Sequence, residues 1–125
     1  MTIQAAIDNI DEKKANMFTQ EQKIQWLSEV DMYVWRELIK THEGMPVGID
    51  FVGYDQDTPM DTHLLVPEPY TNVYENWLAA QMDLKNQESG KYTQSMVQFN
   101  NAYQTYADYY NRHHMPLQVV RQFRF

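Results

Sequence analysis

Apolar residues recur at helical spacing over most of the chain, and the period changes only in one central stretch. Ile3, Ala6, Ile7 and Ile10 form one helical face behind Thr2, a residue suited to cap it, and predict a short helix over 2–10. "DEKKAN" then breaks the apolar pattern and reads as a solvated linker. Thr19 with Gln22 three residues on has the form of a capping box and opens a second helix over 19–41. Ile24, Leu27, Val30, Val34 and Leu38 make its apolar face, with Trp26, Tyr33 and Trp35 off that stripe. Lys40 and His42 suit the negative end of the helix dipole, and Gly44 is the expected stop.

From Gly44 to Pro69 the pattern is no longer helical. Three of the four glycines (Gly44, Gly48, Gly53) and four of the five prolines (Pro46, Pro59, Pro67, Pro69) fall there. Val47, Ile49 and Phe51 alternate with Gly48 and Asp50, which is strand spacing, and Leu64–Val66 is a second short candidate. Such a two-stranded ribbon is marginal alone and must lean on the helices or on another subunit. Pro67 and Pro69 then stiffen the way out, with Pro69 expected in the first turn of the next helix.

Two further helices follow, over 69–86 and 88–112, joined by the short "KNQESG" connection that implies antiparallel packing. In the first, Val73, Trp77, Ala80 and Leu84 share a face, and Tyr70, Tyr74 and Leu78 share the neighbouring one. In the second, Tyr92, Met96, Phe99, Tyr103, Tyr106 and Tyr110 keep strict heptad steps, which predicts a helix about 37 Å long with a narrow seam. The fold class expected is mainly α: a small antiparallel helical bundle with a short β-ribbon or extended loop inserted between helices. One domain spans 1–125, with the insertion at 44–68 and an extended C-terminal tail at 115–125. Leu27, Val34, Val73, Trp77, Met96, Phe99 and Tyr103 are the expected core.

Composition sharpens what this bundle does. Seventeen acids against ten bases give a net charge of −7, without the clustered basic face of a duplex-DNA reader. Sequence-specific nucleic acid binding is therefore not expected. No apolar run reaches the roughly 20 residues of a membrane span, and the first residues lack a secretory signal pattern. With no cysteine, disulfides and thiolate metal sites are excluded.

Candidate chemistry is sparse. His113 and His114 are adjacent, whereas a helical zinc pair needs i,i+4 spacing, so a helix-end role is expected for them. Asp50, Asp55, Asp57 and Asp61 lack the glycine and the twelfth-position Glu of a calcium loop and read as a solvated acidic loop. No nucleophile motif, phosphate loop or separated carboxylate pair is present, so the expectation is a non-enzyme without metal or cofactor. Nine tyrosines, five phenylalanines and three tryptophans exceed the needs of one small core. Trp35, Phe51, Tyr54 and Tyr109 are the candidate inter-subunit surface. Leu117, Val119, Val120, Arg121, Phe123, Arg124 and Phe125 are the candidate portal or subunit interface, being apolar and basic residues with no predicted element beside them.

In order and spacing, "LLVPEPY", "YENWLAAQMDL" and "MVQFNNAYQTYADYYNRHHMP" resemble the helical head–tail connector, or adaptor, proteins of tailed bacteriophages. The helix at 20–40 ending in "THEG" and the "FVGYD" strand resemble the corresponding upstream parts. The resemblance covers about residues 19 to 116. It implies a ring, often of twelve subunits, in the virion beneath the portal, formed from chains held in the host cytoplasm before assembly. That ring would extend the DNA channel, touching DNA only in passing, and dock the next neck or tail protein. It implies no catalytic residue and a terminal segment, "LQVVRQFRF", that reaches toward the portal. The alternative reading from the residues alone is a cytoplasmic helical protein–protein interaction or regulatory module using the same aromatic face.

Overall fold

Side-chain caps decide where the first two helices begin. The Thr2 hydroxyl accepts from the Ala5 N–H at 3.1 Å and opens α1, Ile3–Lys13. Thr19 accepts from the Gln22 N–H at 3.1 Å while the Gln22 side chain accepts from the Thr19 N–H at 3.2 Å, and this closed box opens α2, Gln20–Val34. α2 runs on into a wider π-helical turn, Trp35–Ile39, closed by Lys40 N–H to the Trp35 carbonyl at 2.9 Å. The Thr41 hydroxyl satisfies the Leu38 carbonyl at 3.0 Å. α3, Asn72–Lys85, and α4, Ser89–His113, complete the helices of the computed structural model, which describes residues 1–41 and 51–114.

α3 and α4 form the antiparallel hairpin expected from the short connection. Asp83 meets Ser95, Trp77 meets Phe99 and Tyr70, just ahead of α3, meets Tyr106, so positions fall toward the start of α3 as they rise along α4. α2 lies against α3, where the Trp77 indole N–H donates to the Trp26 carbonyl at 2.9 Å. α1 packs on both α2 and α3. One hydrophobic cluster joins all four, with Ile3, Leu27, Val34, Val73, Tyr74, Leu78 and Met82 wholly enclosed.

The stripes are largely as expected, with corrections in phase. Leu27, Val34, Val73 and Phe99 are buried, but Trp77, Met96 and Tyr103 are half-buried. On α3 the inward face is centred on Tyr74 and Leu78, so Leu84, assigned to the Val73 stripe, is exposed. Trp26 and Trp35, read as off the α2 stripe, are both core residues, because α3 and the residues after position 50 cover that side too. "DEKKAN" is not simply solvated, since α1 extends through Lys13 and its lysines enter ion pairs.

No strand occurs among the described residues. Positions 47–50 of the expected ribbon lie outside them; Phe51 and Leu64–Val66 are not in strands, and the extended-loop form of the insertion holds for residues 51–71. The loop spends its backbone groups on helices instead. Ile3 N–H donates to the Thr62 carbonyl and Gln4 N–H to the Met60 carbonyl, both at 3.0 Å, and Thr2 pairs with His63 in a single antiparallel bridge. With Thr2 serving Ala5, the first amides of α1 all have partners. At the other end of the loop Tyr54 N–H donates to the Ser28 hydroxyl at 2.9 Å. Gly53 sits at φ +89°, where a Cβ would lie 2.5 Å from the Ser28 oxygen, so only glycine fits. Pro69 precedes α3 rather than beginning it: Tyr70 N–H closes a turn on the Pro67 carbonyl at 2.9 Å, and the helix starts at Asn72.

Candidate functional site

α2 and α4 flank α3, and the space between them is an open trough of about 720 Å³. Trp77, Phe99, Met96 and Val30 supply apolar surface, and Tyr33 and Tyr103 meet across it with ring centroids 5.3 Å apart. Tyr33 is 49% exposed. Glu29, Arg36 and Glu37 stand along the α2 wall, with Asn100 on the α4 wall. Burial, then the neighbouring Tyr33 and Glu37, pushes the Tyr103 hydroxyl up to about 12, so it stays a neutral donor.

Beneath one wall of the trough lies the most polar point of the core. Asp31 of α2 is wholly enclosed. Its Oδ1 accepts from the Tyr74 hydroxyl at 2.6 Å, and its Oδ2 accepts from the Tyr54 hydroxyl at 2.5 Å and the Leu65 N–H at 3.1 Å. The Tyr74 oxygen in turn accepts from the Val66 N–H at 2.7 Å. Burial raises the Asp31 carboxyl above the usual carboxylate range against the pull of these donors, and it raises both tyrosines further with help from the Asp31 charge. Five groups from α2, the loop and α3 are thereby locked together. Being sealed from solvent, this carboxylate holds the loop on the bundle and has no access to a substrate.

Two ion pairs, each with one enclosed partner, brace α1 against the other helices. Lys23, almost wholly enclosed, meets Asp11 at 2.6 Å, tying α2 to α1. Lys14 meets the enclosed Asp83 at 2.7 Å; the Ser95 hydroxyl donates to the other oxygen, and Oδ1 takes no other donor. The α4 seam ends in paired rings: Tyr109 tilted against His113 and Tyr110 stacked on His114, with centroids at 4.3 and 3.9 Å. Both imidazoles place Nδ1 beside a carbonyl of the last turn, at 2.8 and 3.2 Å, the helix-end role expected for them.

The four aromatics assigned to an inter-subunit surface are occupied within the chain. Trp35 is 5% exposed and belongs to the core. Phe51 is half-buried between Trp35 and Tyr54, Tyr54 is held by Asp31, and Tyr109 lies between Tyr70 and His113. Open aromatic surface lies instead at Tyr33, 49% exposed. Leu117, Val119, Val120, Arg121, Phe123, Arg124 and Phe125 lie outside the described residues. Asp31 was not singled out from the sequence, although a signal existed: heptad steps from Ile24 and Leu27 land on Asp31 before Val34 and Leu38.

No family model, curated protein or solved structure matches this chain. The site is therefore read from its own geometry. Among the described residues no three His, Asp or Glu side chains converge as metal ligands, and no helix is long and apolar enough to cross a membrane. Asp55 spends its carboxylate inside the loop, accepting from the Asp57 N–H at 2.9 Å and the Thr58 hydroxyl at 3.2 Å. What the arrangement offers is an open, aromatic, partly charged recess on a braced helical scaffold.

Proposed function

We propose that this chain is a virion structural protein, a head–tail connector or adaptor. It assembles as a ring beneath the portal, extends the DNA channel and docks the next neck or tail protein. The observation that carries the reading is the open trough between α2 and α4, a docking recess on a bundle whose enclosed carboxylates are both committed to internal bonds. The order and spacing of the motifs from about residue 19 to 116 supply the virion context, and the charge of −7 suits a channel through which DNA slides without adhering. The partners under this reading are the portal protein, further copies of the chain and the downstream neck or tail protein.

Co-expression with the portal protein of the same phage tests it. The expected result is co-purification at a fixed ratio, with electron microscopy resolving an added ring of helical density below the portal. A chain that stays separate from the portal, and is missing from purified virions by mass spectrometry, would leave only the cytoplasmic interaction module.

A further inference from the structure

We propose that the trough between α2 and α4 is the receiving surface for residues 117–125 of a second copy of the chain. The trough combines apolar surface from Trp77, Met96 and Phe99 with an α2 wall on which Glu29 and Glu37 outnumber Arg36, and neither acid has an ion-pair partner among the described residues. The segment "LQVVRQFRF" carries the complementary chemistry: two arginines, no acid, and apolar side chains. Written as an extended strand it has a two-residue period, placing Leu117, Val119, Phe123 and Phe125 on one face with Arg121. A trough wall running along α2 from Gln25 to Glu37 is about 18 Å long at 1.5 Å per residue, a span that five or six extended residues fill.

The exit from α4 favours a neighbour over the same chain. His114 has extended backbone, φ −137° and ψ 131°, and Pro116 disfavours a helical residue before it. To reach its own trough the chain would have to turn back past the ten residues from Tyr103 to His113, about 15 Å of helix, a requirement that a neighbour's trough does not set. Each copy then offers one tail and one trough, a head-to-tail contact that closes into a ring when the rotation between copies allows. The closed ring rests on the connector reading; the contact itself does not.

The test is photo-cross-linking in the full chain, with Phe123 replaced by p-benzoylphenylalanine and light chains mixed with isotope-heavy ones. The expected result is heavy–light cross-links to α2 and α4 residues of the trough. Tyr33→Lys and Asn100→Lys, both at exposed positions, are each expected to lower the yield by about tenfold, the scale of losing one anchoring contact, with the helical circular dichroism unchanged. Cross-links confined to one chain, cross-links outside the trough, no cross-link, or full yield in both variants would each overturn the proposal. Co-purification with the portal is followed in parallel. Portal binding without trough cross-links overturns this contact alone, whereas trough cross-links without portal binding overturn the connector reading alone.

Discussion

Replacing Asp31 tests whether one enclosed carboxylate holds the loop onto the bundle. In Asp31→Ala three donors lose their acceptor: the Tyr54 and Tyr74 hydroxyls and the Leu65 N–H. A buried polar group left unsatisfied costs about 1–3 kcal/mol, and Tyr54, the more exposed of the two tyrosines, can turn its hydroxyl toward water. Removing the desolvated charge offsets part of the loss, so the net destabilisation expected is about 3–5 kcal/mol. Asp31→Asn is milder. Its best placement keeps the amide oxygen on Tyr54 and Leu65 and turns the NH₂ to Tyr74, whose own proton is orphaned, for about 1–2 kcal/mol. Urea denaturation followed by circular dichroism reads both, with an unchanged slope confirming that stability alone has moved.

The pH dependence of the Asn variant supplies the sign. Burial raises the folded pKa of Asp31, so the native state takes up its proton more readily than the unfolded chain. That contribution is fully present below the unfolded carboxyl value and is lost as pH rises through the raised folded value. Wild type should therefore gain on Asp31→Asn as the pH falls toward 4. A gap that narrows in acid would mean that the three donors outweigh burial. A loss below about 1 kcal/mol in Asp31→Ala would refute the hub itself.

Three further substitutions probe separate features. Gly53→Ala places a methyl on the Ser28 hydroxyl at positive φ, and about 1–3 kcal/mol should be lost in thermal melts; a neutral result would show that the loop shifts freely. Lys14→Met leaves Asp83 enclosed without its cation, for roughly 2–3 kcal/mol after discounting the partial exposure of Lys14, and the double change Lys14→Met with Asp83→Leu should recover most of it. Gln87 holds φ 58° in the α3–α4 connection, so Gln87→Gly should raise stability by roughly 0.5–1 kcal/mol in urea melts, and a loss would contradict the strain.

Helix existence was legible because capping and periodicity act locally. Thr2, Thr19 and the heptad steps of α4 each fix a feature within a few residues of themselves. Face assignment was harder wherever a helix is covered on two sides. Trp35 and Trp26 stand off the main α2 stripe yet are buried, since the neighbours that cover them come from α3 and the loop. The loop residues were misread for a related reason: Leu64–Val66 has strand composition, but its amides bond to Met1, Asp31 and Tyr74, partners that lie far away or on side chains. Asp31 stands out as an acid within an apolar stripe, but that position gives no hint of the two tyrosines it will meet. Tyr54 and Tyr109 carry the enrichment expected of interface residues, and the same amphipathic chemistry also suits partly buried positions inside one chain.

The closure of the first amides of α1 by the Met60–Thr62 carbonyls has a consequence for the order of folding. The α3–α4 hairpin needs only the three residues 86–88 to turn, so its contacts form at little cost in loop entropy. α1 is different: it has 11 residues, too few to be stable alone, and its tether from Lys13 to Glu75 spans 62 positions. The expected sequence is a hairpin nucleus, docking of α2, and capture of α1 last, when the loop has arrived to receive its amides. In native-state hydrogen exchange the α1 amides should then open in a step below the global unfolding free energy, while those of α3 exchange only with the whole. Equal protection for α1 and α3 would instead mean that α1 belongs to the same cooperative unit as the hairpin.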